Sequence, residues 1–135
     1  MTLPKILKRR NKNLISEEKT TAIIEWPDHI VSLTNEDFDQ FINDFPLSVV
    51  DFWASWCAPC KAMVPRLRRL SKLYHKRVAF GKVDIQEYRH IAKKNKIMGI
   101  PHLIFFRYGK KVGSITGLKS IGSIKDVIED LLNIT

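Results

Sequence analysis

The sequence predicts an α/β domain in which a mixed central sheet is covered by helices on both faces. Stretches of β-branched and aromatic residues alternate with stretches whose apolar residues recur at helical spacing, which is typical of strands joined by helices. Near the end, the turn Tyr108-Gly109-Lys110 separates two apolar stretches and indicates an antiparallel hairpin. The length of 135 residues suits one such domain.

The first predicted elements are a short strand and a helix. Residues 29–33 form the candidate strand, and Thr34 with Asp37 resembles a capping box with Asp in the Glu position. Phenylalanine and isoleucine then recur at helical spacing over residues 38–45, and Pro46 ends the helix.

A buried strand and a long helix follow. Residues 47–54 are apolar apart from Ser48 and Asp51, and this composition suits a buried strand. From Cys57 onward, apolar side chains line one side of a long predicted helix, and Pro65 inside it should kink the helix.

The remaining elements complete the order βαβαβαββα. Residues 78–83 are predicted as a strand, and Asp84 is predicted to cap a short helix. Residues 103–106 are apolar at every position, as expected for a strand that is covered on both faces. Residues 112–116 form the last strand, and residues 121–131 form an amphipathic helix.

Composition and charge narrow the function classes. The chain is 44% hydrophobic and 27% charged, which is globular, and no apolar run approaches the roughly 18 residues of a membrane span. The net charge is +9, which raises nucleic acid, anionic membranes and acidic proteins as possible partners. No nucleic acid is expected, because the basic helix faces lack the interleaved aromatic residues that stack on bases.

The first 28 residues are predicted as a basic extension and residues 29–135 as the domain. Within residues 1–20, six Lys and Arg face two acidic residues. The apolar residues there are interrupted by cations, so a secretory signal is not predicted. Two interpretations stay open, a solvated N-terminal arm or a basic amphipathic helix that binds a surface.

Two cysteines carry the chemistry. Cys57 and Cys60 lie where a buried strand gives way to a helix, and their spacing brings both sulfurs to one side of the first helical turn. The unpaired N–H groups of a helix N-terminus lower the pKa of a thiol there, so Cys57 is predicted to be nucleophilic. Pro59 is tolerated in that turn because its missing N–H has no partner to lose.

Two other interpretations of the cysteines compete with this one. The first is a pair of inert core residues, since free cysteine is often buried. The second is half of a zinc site, which would need a second chain because the four histidines lack metal-ligand spacing. Neither explains the position at a strand–helix junction as well, and no metal is predicted.

The stretch from Val49 to Lys61, VVDFWASWCAPCK, resembles the active-site strand and loop of thioredoxins. Gly99-Ile100-Pro101 resembles the cis-proline loop of that family. The resemblance covers residues 29–135, and it implies a thioredoxin fold. The basic extension ahead of the domain looks more like archaeal members of the family than bacterial ones.

The resemblance implies catalytic roles for five residues. Cys57 would attack a substrate disulfide, and Cys60 would resolve the mixed disulfide and leave the two cysteines joined. Asp51 would lie buried behind them and help to deprotonate the resolving thiol through water. Lys82 would moderate the charge of Asp51, and Pro101 would be cis and pack against the disulfide.

The resemblance also implies an apolar surface around the cysteines where substrates dock. Its predicted members are Trp56, Ala58, Pro59, Gly99, Ile100 and Gly117. Two positions depart from the family. Ala58 stands where thioredoxins commonly have Gly, which leaves the redox potential less certain than the fold. His102 stands where they usually have Thr, and it is either a titrating group or an ordinary strand residue.

The function predicted from these features is reduction of disulfides in protein substrates, in cell redox homeostasis. The protein is expected to be cytoplasmic and monomeric, to need no bound cofactor, and to receive electrons from thioredoxin reductase or a similar dithiol donor. Two alternatives remain, a disulfide isomerase or oxidase of the same fold, or a basic binding module that uses the fold without the chemistry.

Overall fold

A computed structural model describes residues 24–133 of the chain, so the predictions for residues 1–23 fall outside the described part. The strands are β1 (Val31–Ser32), β2 (Ser48–Trp53), β3 (Ala79–Asp84), β4 (His102–Arg107) and β5 (Lys110–Thr116). The helices are α1 (Phe38–Asp44), α2 (Ala58–Leu73), α3 (Arg89–Lys94) and α4 (Ile121–Leu132). This order is the predicted one.

The strands form one mixed sheet with the order β1-β3-β2-β4-β5. β2 and β3 are parallel, as are β1 and β3, whereas β4 runs antiparallel to β2 and to β5. β2 therefore lies at the centre, and its C-terminal end meets the N-terminal end of β4. The two loops that the sequence singled out lie at this one edge of the sheet.

The sheet divides the core into two layers, and helices cover each of its two faces. On the first, the α1/α3 face, phenylalanines of α1 pack on β2 and β4. On the second, the α2/α4 face, aliphatic residues of both helices pack on the opposite sides of the same strands. The predicted fold class, a mixed sheet with helices on both faces, is confirmed.

Three local details differ from the predicted elements. β1 has two residues instead of five, and β5 begins at Lys110, which was predicted to lie in the turn, instead of at Val112. Asp84 does not cap α3. Its carboxylate accepts from the backbone N–H of Gln86 at 2.9 Å and so holds a separate turn, and α3 begins only at Arg89. The short polar turn satisfies Asp84 locally, which leaves its side chain unavailable to a later helix.

Candidate active site

The cysteine pair occupies the junction between β2 and α2. Cys57 is the N-cap of α2 and Pro59 lies in its first turn. Cys57 and Cys60 are joined by a disulfide, with 5.2 Å between their Cα atoms. The backbone N–H of Cys60 donates to Cys57 Sγ at 3.2 Å. A thiolate at Cys57 would keep that donor and the helix N-terminus, and both favour the charged form.

The loop before β4 packs against this pair. The Ile100–Pro101 peptide bond is cis, as expected from the sequence. Pro101 is buried, and Ile100 packs on the small cluster formed by Ala54 and the two cysteines. The loop after β5 closes the same edge, because the N–H of Gly117 donates to the carbonyl of Pro101 at 2.7 Å.

Two glycines lie in the loops at this edge, Gly117 after β5 and Gly99 before β4. Gly117 has a φ of +93°, in the left-handed region that favours glycine, and no atom lies within 4 Å of where a Cβ would stand. At Gly99, a Cβ would lie 3.6 Å from the methyl carbon of Thr116. Three separate loops, after β2, before β4 and after β5, therefore meet around the disulfide.

Asp51 lies on β2 between Lys82 of β3 and Leu103 of β4. Its side chain is 3% exposed, and its Oδ1 atom has no hydrogen-bond partner among the described residues. Burial raises the pKa of Asp51 to about 7, against a smaller opposing effect of the Lys82 charge. The carboxyl group therefore titrates near neutral pH, where it can both accept and release a proton.

Lys82 is half-buried beside Asp51 and faces the same layer. Its Nζ lies 5.7 Å from the ring centroid of Trp53, the last residue of β2. Trp53 also has a buried indole nitrogen without a partner among the described residues. Trp53 packs against the cysteine cluster.

A cavity of about 280 Å³ connects Asp51 with the surface of the α2/α4 face. Asp51 and Lys82 line it from the sheet, and Leu67 and Arg68 line it from α2. His29, which is exposed, contributes to its outer part. The volume has room for several water molecules, each of which takes about 30 Å³ in the liquid.

The surface around the disulfide exposes large apolar side chains. Trp56, a predicted member of the docking surface, is 64% exposed. The sequence reasoning missed Met98, which is 95% exposed, and Leu118, which is 38% exposed. Each directly adjoins one of the predicted glycines, and that adjacency is the signal that could have identified them.

His102 follows the cis-proline and lies on β4. Its Nδ1 is 2.9 Å from Thr116 Oγ1, and its ring centroid lies 6.5 Å from that of Phe52. Burial, aided by the charge of Lys111, lowers the pKa of His102. The neutral imidazole is therefore favoured, and His102 is better described as a strand residue that joins β4 to β5 than as a cation at neutral pH.

No group of three or more His, Cys, Asp or Glu side chains within residues 24–133 is arranged to hold a metal ion. In the same range, no helix has the length and apolar character needed to cross a membrane.

Comparisons with known proteins agree with this geometry. The family model described as thioredoxin matches residues 29–130. The thioredoxin of Buchnera aphidicola is 34% identical over 105 residues, which is 77% of this chain and 97% of that protein. A thioredoxin of Staphylococcus aureus is 35% identical over 100 residues, which is 74% of this chain and 95% of its own length.

Solved structures show the same likeness. A mutant thioredoxin from Halobacterium salinarum superimposes with a TM-score of 0.76 at 27% identity, covering 82% of this chain and 97% of its own. The thioredoxin of Plasmodium falciparum superimposes with a TM-score of 0.70 at 31% identity, covering 75% and 98% respectively.

Proposed function

The chain belongs to the thioredoxin family, and we propose that it reduces protein disulfides with Cys57 as the attacking thiolate and Cys60 as the resolving thiol. Dithiol–disulfide exchange and protein disulfide reductase activity follow from the family and from the bonded cysteine pair. The single observation that carries the assignment of roles is the position of Cys57, which caps α2 and accepts from the N–H of Cys60.

The dithiol–disulfide exchange cycle requires only the residues of this chain and one external dithiol, which supplies the electrons. The Cys57 thiolate attacks one sulfur of the substrate disulfide, so a Cys57–substrate bond forms and the first substrate thiol leaves. Cys60 loses its proton and attacks Cys57, so the second substrate thiol leaves and the Cys57–Cys60 bond forms. The substrate gains two electrons, which a donor dithiol restores to the protein.

Asp51 is the base in the second step, acting on Cys60 through water. Support comes from its burial, its unpartnered Oδ1 and a pKa near 7. The cavity beside it gives water a route to the carboxyl group. Lys82 limits the rise in the Asp51 pKa and so keeps part of the carboxyl ionised at neutral pH.

In this proposal, substrates dock on the three loops that surround the disulfide. The backbone of Ile100 offers strand-like hydrogen bonds to an extended segment. Pro101 packs against the disulfide, and the surrounding surface is formed by Trp56, Ala58, Pro59, Gly99 and Gly117. The packing of Ile100 on the cysteine cluster and the exposure of Trp56 support this arrangement.

The wider setting is also proposed. Electrons come from thioredoxin reductase or a similar dithiol donor, and the protein acts as a monomer in the cytoplasm with residues 1–28 as an extension of the domain 29–135. With two cysteines in the sequence, the whole thiol content belongs to the active site. A reducing compartment keeps such a pair working in the direction of reduction.

An insulin-type disulfide reduction assay tests the assignment of the two cysteines. Cys57→Ser is expected to abolish turnover, because it removes the nucleophile. Cys60→Ser is expected to accumulate a covalent complex with the substrate, visible by mass spectrometry and released by dithiothreitol. If both variants keep disulfide reductase activity, the assignment is wrong.

The role of Asp51 is tested on a preformed mixed disulfide. Asp51→Asn is expected to slow its resolution at least about tenfold near pH 7, because a positioned base is lost. The wild-type rate should rise as pH increases through about 7, where Asp51 loses its proton. A variant with the wild-type rate and pH profile would exclude Asp51 as the base.

The reduction potential of the cysteine pair separates the reductase from an isomerase or oxidase of the same fold. A value near that of thioredoxin, about −270 mV, supports the proposal. A value near that of protein disulfide isomerase, about −180 mV, would overturn the direction of reaction while leaving the exchange chemistry intact.

A further inference from the structure

Positive and negative charges are separated along the sequence. Residues 52–83 and residues 88–125 contain no Asp or Glu, and together they hold all seventeen Lys and Arg of residues 24–133. The twelve acidic residues of that range lie in the intervening and flanking segments. Positive and negative residues are usually interspersed on a protein surface, so a net positive charge does not by itself explain why they are separated here.

The two acid-free segments are the ones that build the active-site surface. Residues 52–83 supply the disulfide and α2, and residues 88–125 supply the cis-proline loop and the loop at Gly117. The Gly117–Pro101 hydrogen bond and the packing of Ile100 on the cysteines join these segments at one edge of the sheet.

Outside these segments, Asp84 at the end of β3 lies beside this edge. It is paired in register with Trp53, but its Oδ1 accepts from the backbone N–H groups of Gln86 and Glu87 at 2.9 and 3.4 Å. These bonds hold the Asp84 side chain in its own turn. The three loops after β2, before β4 and after β5 contain no Asp or Glu, so the charge that these loops present comes from cations.

Three exposed lysines accompany the three loops. Lys61 follows Cys60, Lys96 precedes Met98 by two positions, and Lys119 follows Gly117 by two. The backbone at Lys119 is fixed, because Arg66 of α2 donates to its carbonyl at 2.6 Å. Within residues 24–133, no Lys or Arg forms an ion pair with a carboxylate of the same range.

An apolar centre lies among these cations. Trp56, Met98 and Leu118 come from the same three loops, and each exposes more than a third of its side chain. Large apolar residues ringed by charge are typical of surfaces that dock another protein. The occupant must bring a disulfide to Cys57, so a polypeptide fits this surface better than a nucleic acid does.

We infer that the active-site surface selects acidic protein segments, in which a target cysteine is flanked by an apolar residue and by carboxylates. The apolar residue packs on Trp56, Met98 and Leu118, and the carboxylates face Lys61, Lys96 and Lys119. The inference rests on the proposed reductase function and names the chemical class of its substrates.

Matched peptide disulfides test the selection with the full-length, pre-reduced protein. Three peptides have the same length, the same cysteine and the same flanking leucine. They differ only in the residues that surround the cysteine and the leucine, which are Glu in the first peptide, Gln in the second and Lys in the third. Single-turnover reduction is followed by quenching and mass spectrometry. The Glu peptide is expected to react about tenfold faster than the Gln peptide at about 20 mM salt, and the Lys peptide to react more slowly than both.

Salt provides the second measurement. The advantage of the Glu peptide is expected to fall to within about twofold of the Gln peptide at about 0.5 M salt, because screening shortens the reach of the lysine charges to a few ångströms. An advantage that persists at high salt would show that charge does not select the substrate, and would overturn the inference.

Charge reversal locates the effect. The Lys61→Glu/Lys119→Glu double variant is expected to bring the Glu-to-Gln rate ratio to one or below. The control is Lys76→Glu/Lys110→Glu, which changes the net charge equally. Lys76 follows α2, and Lys110 begins β5, so both lie at the end of the sheet opposite to the cysteines. A fall of the ratio in both double variants would overturn the inference.

Two further outcomes of the peptide experiment separate failure of the inference from failure of the proposed function. Equal rates for all three peptides, together with inhibition of their reduction by a single-stranded oligonucleotide, would assign the charge to nucleic acid and overturn the inference. Failure to reduce any peptide or a small neutral disulfide would refute the proposed function itself, so the two failures are distinguishable.

Discussion

The two faces of the sheet differ in what they bury. On the α1/α3 face, aromatic rings pack on one another, with centroids 5.3 Å apart for Phe41 and Phe45 and 6.0 Å apart for Phe38 and Phe106. The α2/α4 face has fewer aromatic residues, Tyr74, Phe80 and Phe105, and it also holds a buried carboxyl group, Asp51, whose pKa burial raises to about 7.

The two faces therefore differ in role: the α2/α4 face holds the groups of the redox site, and the α1/α3 face mainly stabilises the fold. The redox disulfide sits at the start of α2, and Asp51, Lys82 and the cavity lie on the side of the sheet that α2 covers. A buried carboxyl group costs free energy when it ionises, so the α2/α4 face gives up stability near neutral pH in exchange for a proton acceptor. The α1/α3 face carries no comparable group among the described residues and can be packed for stability.

Phe41→Ala tests whether the α1/α3 face is the stabilising one. Phe41 is 3% exposed and its ring packs against that of Phe45, so truncation removes apolar burial and leaves a cavity. A loss of about 3–5 kcal/mol in the free energy of unfolding is expected by urea denaturation. The matched control is Leu73→Ala on α2, where the side chain is 57% exposed and the change should stay within about 0.5 kcal/mol. A loss below about 1 kcal/mol for Phe41→Ala would contradict the comparison.

Asp51→Asn tests the other face, and its effect depends on pH. The pKa of Asp51 is raised from 3.8 to about 7, so the folded state binds a proton more tightly than the unfolded state does. The stability that this proton contributes is complete below pH ~4 and is lost as pH rises to about 7. A shift of about three units corresponds to about 4 kcal/mol.

The oxidised Asn variant should therefore unfold with a free energy close to that of wild type at pH ~4 and up to about 4 kcal/mol higher at pH ~8. Urea denaturation at the two pH values measures the difference. Equal stabilities at the higher pH, or a gain of the same size at both pH values, would show that the carboxyl group is not desolvated as described.

Part of the difference between the two faces could be predicted from the sequence, because that part depends on residues that lie close together in the chain. The strand with Asp51, the cysteines and the helix after them are contiguous, so one short stretch and its family resemblance predicted a buried Asp51 behind a nucleophilic Cys57. The cis bond before Pro101 was predicted from a three-residue motif, and the structure has it.

The rest depends on contacts between distant segments. The exposure of Met98 and Leu118 follows from the meeting of two loops that the sequence separates by about twenty residues, and periodicity carries no information on that meeting. Trp26 likewise lies before the predicted start of the domain, yet its ring centroid is 5.1 Å from that of Phe45. Single apolar residues outside a periodic stretch give no signal of such packing.

Gly81→Ala sharpens the comparison at the level of one methyl group. Gly81 lies on β3, and a Cβ there would stand 2.7 Å from Leu33 Cδ1 and 3.1 Å from Phe41 Cε2, both on the α1/α3 face. Overpacking is expected to lower the free energy of unfolding by about 1–3 kcal/mol. Gly113→Ala is the control, because its Cβ would be 3.7 Å from Phe105 Cδ1 at ordinary contact distance, and no loss is expected there. Equal losses at both glycines would indicate that tight packing is not a property of the α1/α3 face.

Ser48→Ala asks whether every buried polar group on β2 behaves like Asp51. Ser48 is fully buried, its hydroxyl has no partner among the described residues, and strand alternation places it on the same side as Val50 and Phe52. Removing a desolvated hydroxyl should raise the free energy of unfolding by about 1 kcal/mol, by the same amount at pH ~4 and pH ~8, because a hydroxyl does not titrate there. Urea denaturation at both pH values makes the measurement, and the rate of mixed-disulfide resolution should equal that of wild type. A gain confined to the higher pH would mean that the titration assigned to Asp51 is felt across the sheet, and the two faces would no longer be independent.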